Sequence, residues 1–334
     1  VENAPARDRV EGPVTLDPTY RRVARDVVLG GTPMRLLRVT TEGSRALDLI
    51  EKGDTAGSRP AELVARRLVE GGLVHPEPTM VDDASATSLL TVVIPVRDRI
   101  DLLDALVHDL EGYRVVIVDD QSAEGDRIAA LAARCGAQLL RLEPGMGPGG
   151  ARNAGARLAR TEIVCFLDAD VRLPRGSLAP LLGHFDDPRV GAVAPRLRGP
   201  LGATSRERFE HDASPLDMGA APGGVRPGSR LSFVPSAALL VRRSLAAELF
   251  DPTLRVGEDV DAIWRLSAAG WDVRFEPRAS LEHPARPSWR SWILQRFRYG
   301  TSAAELERRH GPAVAPLRGS LWFLGGWSLL VLGR

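Results

Sequence analysis

Only two cysteines, Cys135 and Cys165, occur in 334 residues. Cys135 falls in a helical pattern and Cys165 inside an apolar strand, so they form neither a metal-ligand spacing nor a disulfide framework, and a reducing compartment is expected. A surplus of one charge is also absent. The formal net charge is +1, without the basic footprint of a nucleic-acid binder. Aromatic residues are scarce at the front: Tyr20 is the only one before Tyr113, too few for the stacking platforms of a carbohydrate-binding module. The chain opens with neither an initiator Met nor an apolar segment before residue 89, so no secretory signal is read and a cytoplasmic location is expected. The uncharged run Leu321 to Leu332 is about half the length that spans a bilayer. Residues 319–334 are therefore expected to begin a truncated membrane-associated segment that holds a longer protein at the inner face of the cell membrane.

What is present is ordinary globular material, 44% hydrophobic and 26% charged, long enough for two domains. Residues 1–16 are rich in charge, Pro and Gly and are expected to be disordered. From residue 17 two short apolar runs flank Gly30-Gly31-Thr32-Pro33 as a hairpin, and two helices follow. The second of these is entered by Ser58-x-Pro60-x-Glu62 and stopped by Gly71-Gly72. With a last strand at Leu73-Val74-His75 the unit closes at residue 80 as a small winged-helix-like domain. Residues 81–88 are polar and read as a linker.

From Leu89 the pattern changes to strands alternating with helices, the signature of a doubly wound α/β sheet. The strand Leu89 to Val96 leads into Arg97-Asp98, and Val115 to Val118 ends in Asp119-Asp120. The loop Gly145 to Gly155 opens a helix that can approach an anion closely, with Arg152 to add a charge-assisted bond. The organising strand, Ile163 to Leu167, delivers Asp168 and Asp170 to its carboxyl end, where open α/β sheets bind their ligands. Two carboxylates one residue apart repel, and a hard divalent cation relieves the repulsion. Residues 199–230 read as a long mobile loop, and Gly257-Glu258-Asp259 stands at the entrance of a helix. As an ordinary acidic helix start this would be worth a few tenths to about 1 kcal/mol.

Two resemblances follow from these motifs. The hairpin, Thr40-Thr41-Glu42-Gly43 and the helix from Leu63 to Leu73 resemble PqqD-like peptide-recognition domains, implying that residues 17–80 hold a ribosomally made peptide by strand addition. Val93-Ile94-Pro95-Val96-Arg97, Val118-Asp119-Asp120-Gln121-Ser122, Gly149-Gly150-Ala151-Arg152-Asn153-Ala154-Gly155 and Phe166-Leu167-Asp168-Ala169-Asp170, in this order, resemble the inverting family-two glycosyltransferases of GT-A fold. Residues 89–318 would then form a Rossmann-like GT-A domain. The resemblance implies a nucleotide-sugar set of Pro95, Val96, Arg97, Asp119, Asp120, Gly149, Gly150, Arg152, Asp168 and Ala169, with the Asp120 carboxylate accepting the uracil N–H. It implies Mn2+ or Mg2+ held by Asp170, His283 and Asp168, and Asp259 as base beside Glu258. Gln295-Arg296-Phe297-Arg298-Tyr299 resembles the Gln-x-x-Arg-Trp motif of polysaccharide synthases with Tyr in place of Trp, giving Trp289, Gln295, Arg298 and Tyr299 as acceptor contacts. The implied donor is UDP-glucose and the implied acceptor a peptide precursor or a peptide-derived redox cofactor. A membrane polysaccharide or lipid acceptor, a catalytically silent peptide-binding scaffold and a nucleotidyltransferase stand as alternatives.

Overall fold

A computed structural model of the chain describes residues 3–5, 9–286 and 288–314. The membrane-segment expectation for residues 319–334 lies outside these. Among the described residues no helix is long and apolar enough to cross a membrane.

The small unit begins earlier than its sequence suggests. Residues 9–16, expected to be disordered, are packed: Val10 is buried, its N–H bonds Glu62 O, and Thr55 Oγ1 donates to the Val10 and Gly12 carbonyls. Strand β1 (Val14–Leu16) pairs antiparallel with β5 (Val74–Pro76). Between them run β2 (Arg21–Ala24), β3 (Val27–Gly30) and β4 (Arg35–Arg38), a three-stranded meander, then α1 (Thr41–Ile50) and α2 (Arg59–Gly71). Both helices start on side-chain caps, Thr40 accepting from Gly43 N and Ser58 from Ala61 N, as the sequence pattern demands. Their apolar faces bury Leu47, Ile50, Ala61, Ala65 and Leu68 against Val28 and Leu73.

The expected linker is not a free tether. It contains α3 (Asp83–Leu89), capped by Asp82, with Ala86 buried in the core of the larger unit. Thr79 passes so close to Gly183 that a Cβ there would lie 1.9 Å from the Thr79 carbonyl oxygen.

The larger unit alternates as read: β6 (Leu90–Val96), α4 (Ile100–Asp109), β7 (Arg114–Asp119), α5 (Gly125–Cys135), β8 (Gln138–Arg141), α6 (Gly147–Ala156) and β9 (Ile163–Leu167). These four strands are parallel. After the short α7 (Ala179–Leu182) and β10 (Val190–Arg198), the presumed loop 199–230 holds α8 (Ser205–Ala213) and β11 (Gly223–Gly224). A Thr204/Glu207 capping box starts α8, a local signal that a loop reading passes over. Then come β12 (Ala238–Arg242), α9 (Arg243–Ala246), α10 (Glu258–Ala268), β13 (Asp272–Glu282), α11 (Trp289–Thr301) and α12 (Ala303–His310).

The eight-stranded sheet runs β11-β13-β10-β12-β9-β6-β7-β8. It is mixed, not purely parallel, because β12 runs antiparallel to both β9 and β10. The reversal leaves β6, β7, β9, β10 and β13 pointing the same way, so their carboxyl ends share one rim. Gly155 lets α6 lie on this sheet, since a Cβ there would meet Val93 Cγ1 at 2.4 Å and Val118 Cγ2 at 2.7 Å.

Candidate functional site

The carboxyl rim gathers most of the chemistry-bearing residues. At the end of β7, Asp119 is fully buried and its Oδ1 accepts from Ser122 N at 2.8 Å. Asp120 Oδ1 and Oδ2 accept from Met146 N (2.5 Å) and Gly147 N (2.9 Å). Two of the N–H groups at the start of α6, where the sequence suggests an anion could approach, are thus occupied by an internal carboxylate. Gly149 and Gly150 serve close packing: a Cβ would lie 3.1 Å from Phe250 Cβ and 2.6 Å from Met146 Cβ, respectively. Pro95 and Val96 pair with Val118 and Asp119, which brings exposed Arg97 to the same rim. Two turns here adopt left-handed backbone at non-glycine residues, Asp98 (φ 53°) and Gln121 (φ 64°). Their side chains hold the loops together, Asp98 Oδ1 accepting from Ala123 N and Gln121 Oε1 from Gly145 N.

Arg152 is the hub. Buried on α6, its guanidinium donates to Asp168 Oδ1 at 2.6 Å and to Glu258 Oε1 at 3.2 Å, and stacks on Phe250 with the centroid 5.2 Å away. It therefore ties the end of β9 to the entrance of α10. Gly257 makes that entrance with φ 82°, where a Cβ would also meet Ser302 Cβ at 2.9 Å. Burial, and then the neighbouring Asp259 charge, push the Glu258 carboxyl above its ordinary range. Burial likewise raises Asp259, against the opposing Val260 N–H bond to Oδ1 (2.8 Å) and the Arg152 charge. Asp261, a further acid of this helix, turns away: it is buried and bonded to Arg265 Nε (2.7 Å) and His310 Nε2 (3.0 Å), which docks α12.

Asp170 and His283 converge. His283 Nε2 lies 3.5 Å from Asp170 Oδ1, and Arg99, which the sequence reading missed, places Nη1 3.5 Å from Asp170 Oδ2. His283 reaches this point because its backbone N–H donates to Arg198 O, continuing the pairing of β13 with β10. The three-ligand set of Asp168, Asp170 and His283 is not assembled: among the described residues no group of three His, Cys, Asp or Glu side chains could hold a metal. Asp168 is engaged by Arg152 instead. A carboxylate and an imidazole nitrogen 3.5 Å apart nonetheless fit two adjacent positions around an ion with ligand bonds of about 2.1 Å. Buried Ala169 connects the two acids.

Above the carboxylates, Tyr299 of α11 accepts from Gln295 Nε2 at 2.6 Å, and Gln295 Oε1 accepts from Arg286 Nε at 3.0 Å. Burial raises the Tyr299 phenol, against the Arg286 charge and the Gln295 bond. Trp289 lies farther out, in a cluster with Trp292 and Phe209 of α8 at centroid spacings of 5.7–5.8 Å. Arg298 is exposed, and so are Ile293, Leu294 and Phe297, so α11 turns an apolar face outward instead of into a core.

Comparison with known proteins adds four findings. The model for glycosyl transferase family 2 matches residues 91–250. A pre-mycofactocin glycosyltransferase of Mycobacterium tuberculosis is 41% identical over 312 residues, 92% of this chain and 65% of the relative, so the chain spans 65% of that protein's length. An uncharacterized glycosyltransferase of Mycobacterium bovis is 31% identical over 236 residues, 63% of this chain and 95% of the relative. Among solved structures, a Pyrobaculum calidifontis mannosyltransferase in complex with GDP-Man and Mn2+ superposes with a TM-score of 0.52 at 20% identity, covering 70% of this chain and 68% of that one.

Proposed function

Because the chain belongs to glycosyltransferase family 2 and its larger unit has the GT-A fold, we propose that it transfers glucose from UDP-glucose, with inversion, to a mycofactocin precursor and extends a β-linked chain on it. The observation that carries this reading is the grouping of Asp259 and Glu258, both raised, beside Arg152, Asp168 and the Asp170–His283 pair on one rim. Displacement at an anomeric carbon needs a base for the acceptor hydroxyl, and a carboxylate whose affinity for a proton is raised by burial, as at Asp259, suits that role. Arg152 holds Glu258 and keeps Asp168 turned toward the ribose side. Asp120 shapes the glycine loop, and each of its oxygens retains a second lone pair for the N–H of the base. Asp170 and His283 are the residues that would hold a divalent ion, Mn2+ or Mg2+, whose charge offsets that of the departing diphosphate. Tyr299, backed by Gln295, offers the acceptor sugar a ring to stack on, with Trp289 and Arg298 farther along the helix.

Residues 17–80 receive the peptide part of the acceptor in this reading. Support comes from the free edges of β2 and β4, the outer strands of the meander, and from exposed Met34 and Leu36 beside the β4 edge. The outward Ile293, Leu294 and Phe297 support contact of α11 with the inner membrane surface. The test is a panel of UDP-sugars offered with pre-mycofactocin and read by mass: a series of successive hexose additions from UDP-glucose is expected, and transfer from another donor alone, or to lipid alone, would replace this reading.

A further inference from the structure

The small unit docks on the larger one at the amino ends of β10 and β13, at the far end of the sheet from the carboxyl rim. Arg66 of α2, almost completely buried, donates to Asp272 Oδ2 at 2.8 Å and lies 3.6 Å from Asp187 Oδ2. Asp272 is the first residue of β13, and Asp187 and Arg189 immediately precede β10. Arg189 reaches Glu70 of α2 at 3.5 Å. These pairs do not fill the joint. A cavity of about 230 Å³ remains between the units, walled by Asp17, Glu70 and His75 on the small side and by Arg189, Arg226, Arg230 and Asp272 on the other.

The acids in this wall are all engaged. Asp17 Oδ2 lies 2.9 Å from His75 Nε2 and its Oδ1 accepts from Thr19 N, Glu70 Oε1 accepts from Arg66 Nε at 3.0 Å, and Asp272 is held by Arg66. The cations are not matched in the same way. Arg226, just past β11, donates to the Glu70 and Thr32 carbonyls of the small unit, and Arg230 donates to the Ala221 and Pro222 carbonyls of its own loop at 3.0 Å each. Among the described residues neither forms an ion pair with a carboxylate, and Arg189 Nε is buried without a hydrogen-bond partner. Burial, and then the charge of Arg35 on β4, draw the Arg226 guanidinium below its ordinary value, against the more distant pull of Asp272 and Glu70. A carbonyl satisfies an N–H but does not neutralise the charge behind it, so the joint closes on positive charge that a bound anion would offset.

We propose that this cavity binds a small oxyanion, a phosphate or a carboxylate, on Arg226 and Arg230, and that the bound anion fastens the small unit to the larger one. The planar fork of a guanidinium donates paired N–H bonds to either group. The volume lies below the roughly 300–1,000 Å³ of pockets that enclose drug-sized ligands, which suits an ion or a very small acid and excludes a nucleotide sugar. Arg226 already grips the small unit through the Thr32 and Glu70 carbonyls, so an anion that offsets its charge strengthens that grip. Because both units wall the cavity, the anion binds the joined state and stabilises it by mass action.

The test titrates the full chain with inorganic phosphate and, separately, with succinate, by calorimetry and by thermal melting, in metal-free buffer with chloride holding the ionic strength constant. One saturable site is expected with at least one of the two, together with a melting temperature that rises as the site fills; a response to phosphate alone or to succinate alone identifies the group recognised. Arg226→Gln is expected to raise the Kd at least tenfold, the loss of a charge-assisted pair of bonds. Arg230→Gln removes bonds only within its own loop, so it leaves the joint intact, and it is expected to raise the Kd severalfold; it decides the matter if Arg226→Gln does not fold. Asp170→Ala, at the other end of the sheet, is expected to leave the Kd as it is. The absence of saturable binding with both anions would overturn the proposal, and so would a Kd that the arginine variants leave unaltered or that Asp170→Ala raises as much as they do.

Discussion

The two ends of the central sheet carry similar numbers of charges and use them differently. At the amino end Arg66 meets Asp272 and Arg274 meets Asp187, each pair at 2.8 Å, and Arg189 reaches Glu70 at 3.5 Å, so each of these acids has a cation beside it. At the carboxyl end Asp168, Glu258 and Asp259 crowd around Arg152, and the two acids on α10 are pushed up by burial, Glu258 further by the Asp259 charge, against the pull of the one guanidinium. The first arrangement is what a fixed joint requires. The second leaves negative charge unmatched in a buried place, which folding alone does not favour and which a substrate proton or a cation would relieve.

The sharpest way to break the comparison is at Asp170. Asp170→Ala, or a strong chelator on the unaltered protein, is expected to abolish transfer, since the diphosphate would then face Asp168 and its neighbours with nothing to offset it. Full turnover in chelator, measured by UDP release, would contradict it. Next in size is Asp259→Asn, expected to lower kcat by about 10²–10⁴-fold with UDP affinity nearly unchanged, because an amide cannot take the acceptor proton. Retention of half the turnover would move the base to Glu258.

Arg152→Met should cost about 3–5 kcal/mol of stability, the consequence of leaving buried acids unpaired. Its counterpart at the other end, Arg66→Met, is expected to cost only about 1–3 kcal/mol, because Asp272 keeps some access to water, and to leave kcat for a short soluble acceptor unaltered. Denaturant titration of both variants ranks them, and equal losses would erase the distinction between joint and site.

The smallest effect is in pH. Burial opposes it, but hydrogen bonds from His184 and Arg278 draw Glu276 down to about 2, so the stability it contributes is present above the ordinary carboxylate value and lost as pH falls toward 2. Glu258 and Asp259 have the opposite sign: their raised carboxyls cost stability when ionised, and acidification relieves that cost. Melting temperatures between pH 7 and 3 should therefore fall less steeply for Glu276→Gln than for the parent chain, and more steeply for Glu258→Gln. Parallel curves would refute the assignment of signs.

Much of this was legible from residues whose signals are local. The apolar runs of β6, β7 and β9 announce buried strands, Ser58 announces α2, and Glu258-Asp259 announces α10. What escaped depends on distant partners. Strand β2 has no apolar alternation and exists because β3 pairs with it. The packing of residues 9–13 rests on backbone bonds to Thr55 and Glu62. Arg99 and the diversion of Asp168 to Arg152 could not be read from spacing, since side-chain direction at a strand end is set by the loops around it. The docking of the small unit at the amino end was equally invisible, because Arg66 and Asp272 are 206 positions apart.

The bond from Arg152 to Glu258 spans 106 positions, and that between Asn153 and Phe250 spans 97. A ribosome adding roughly 5–20 residues per second produces the first partner of each pair several seconds before the second. Until then α6 has no counter-anion on α10. The nascent chain can thus build β6 to β9 before Arg152 gains its partner at the entrance of α10, so the fold of this half of the sheet precedes the assembly of the charged cluster on its rim.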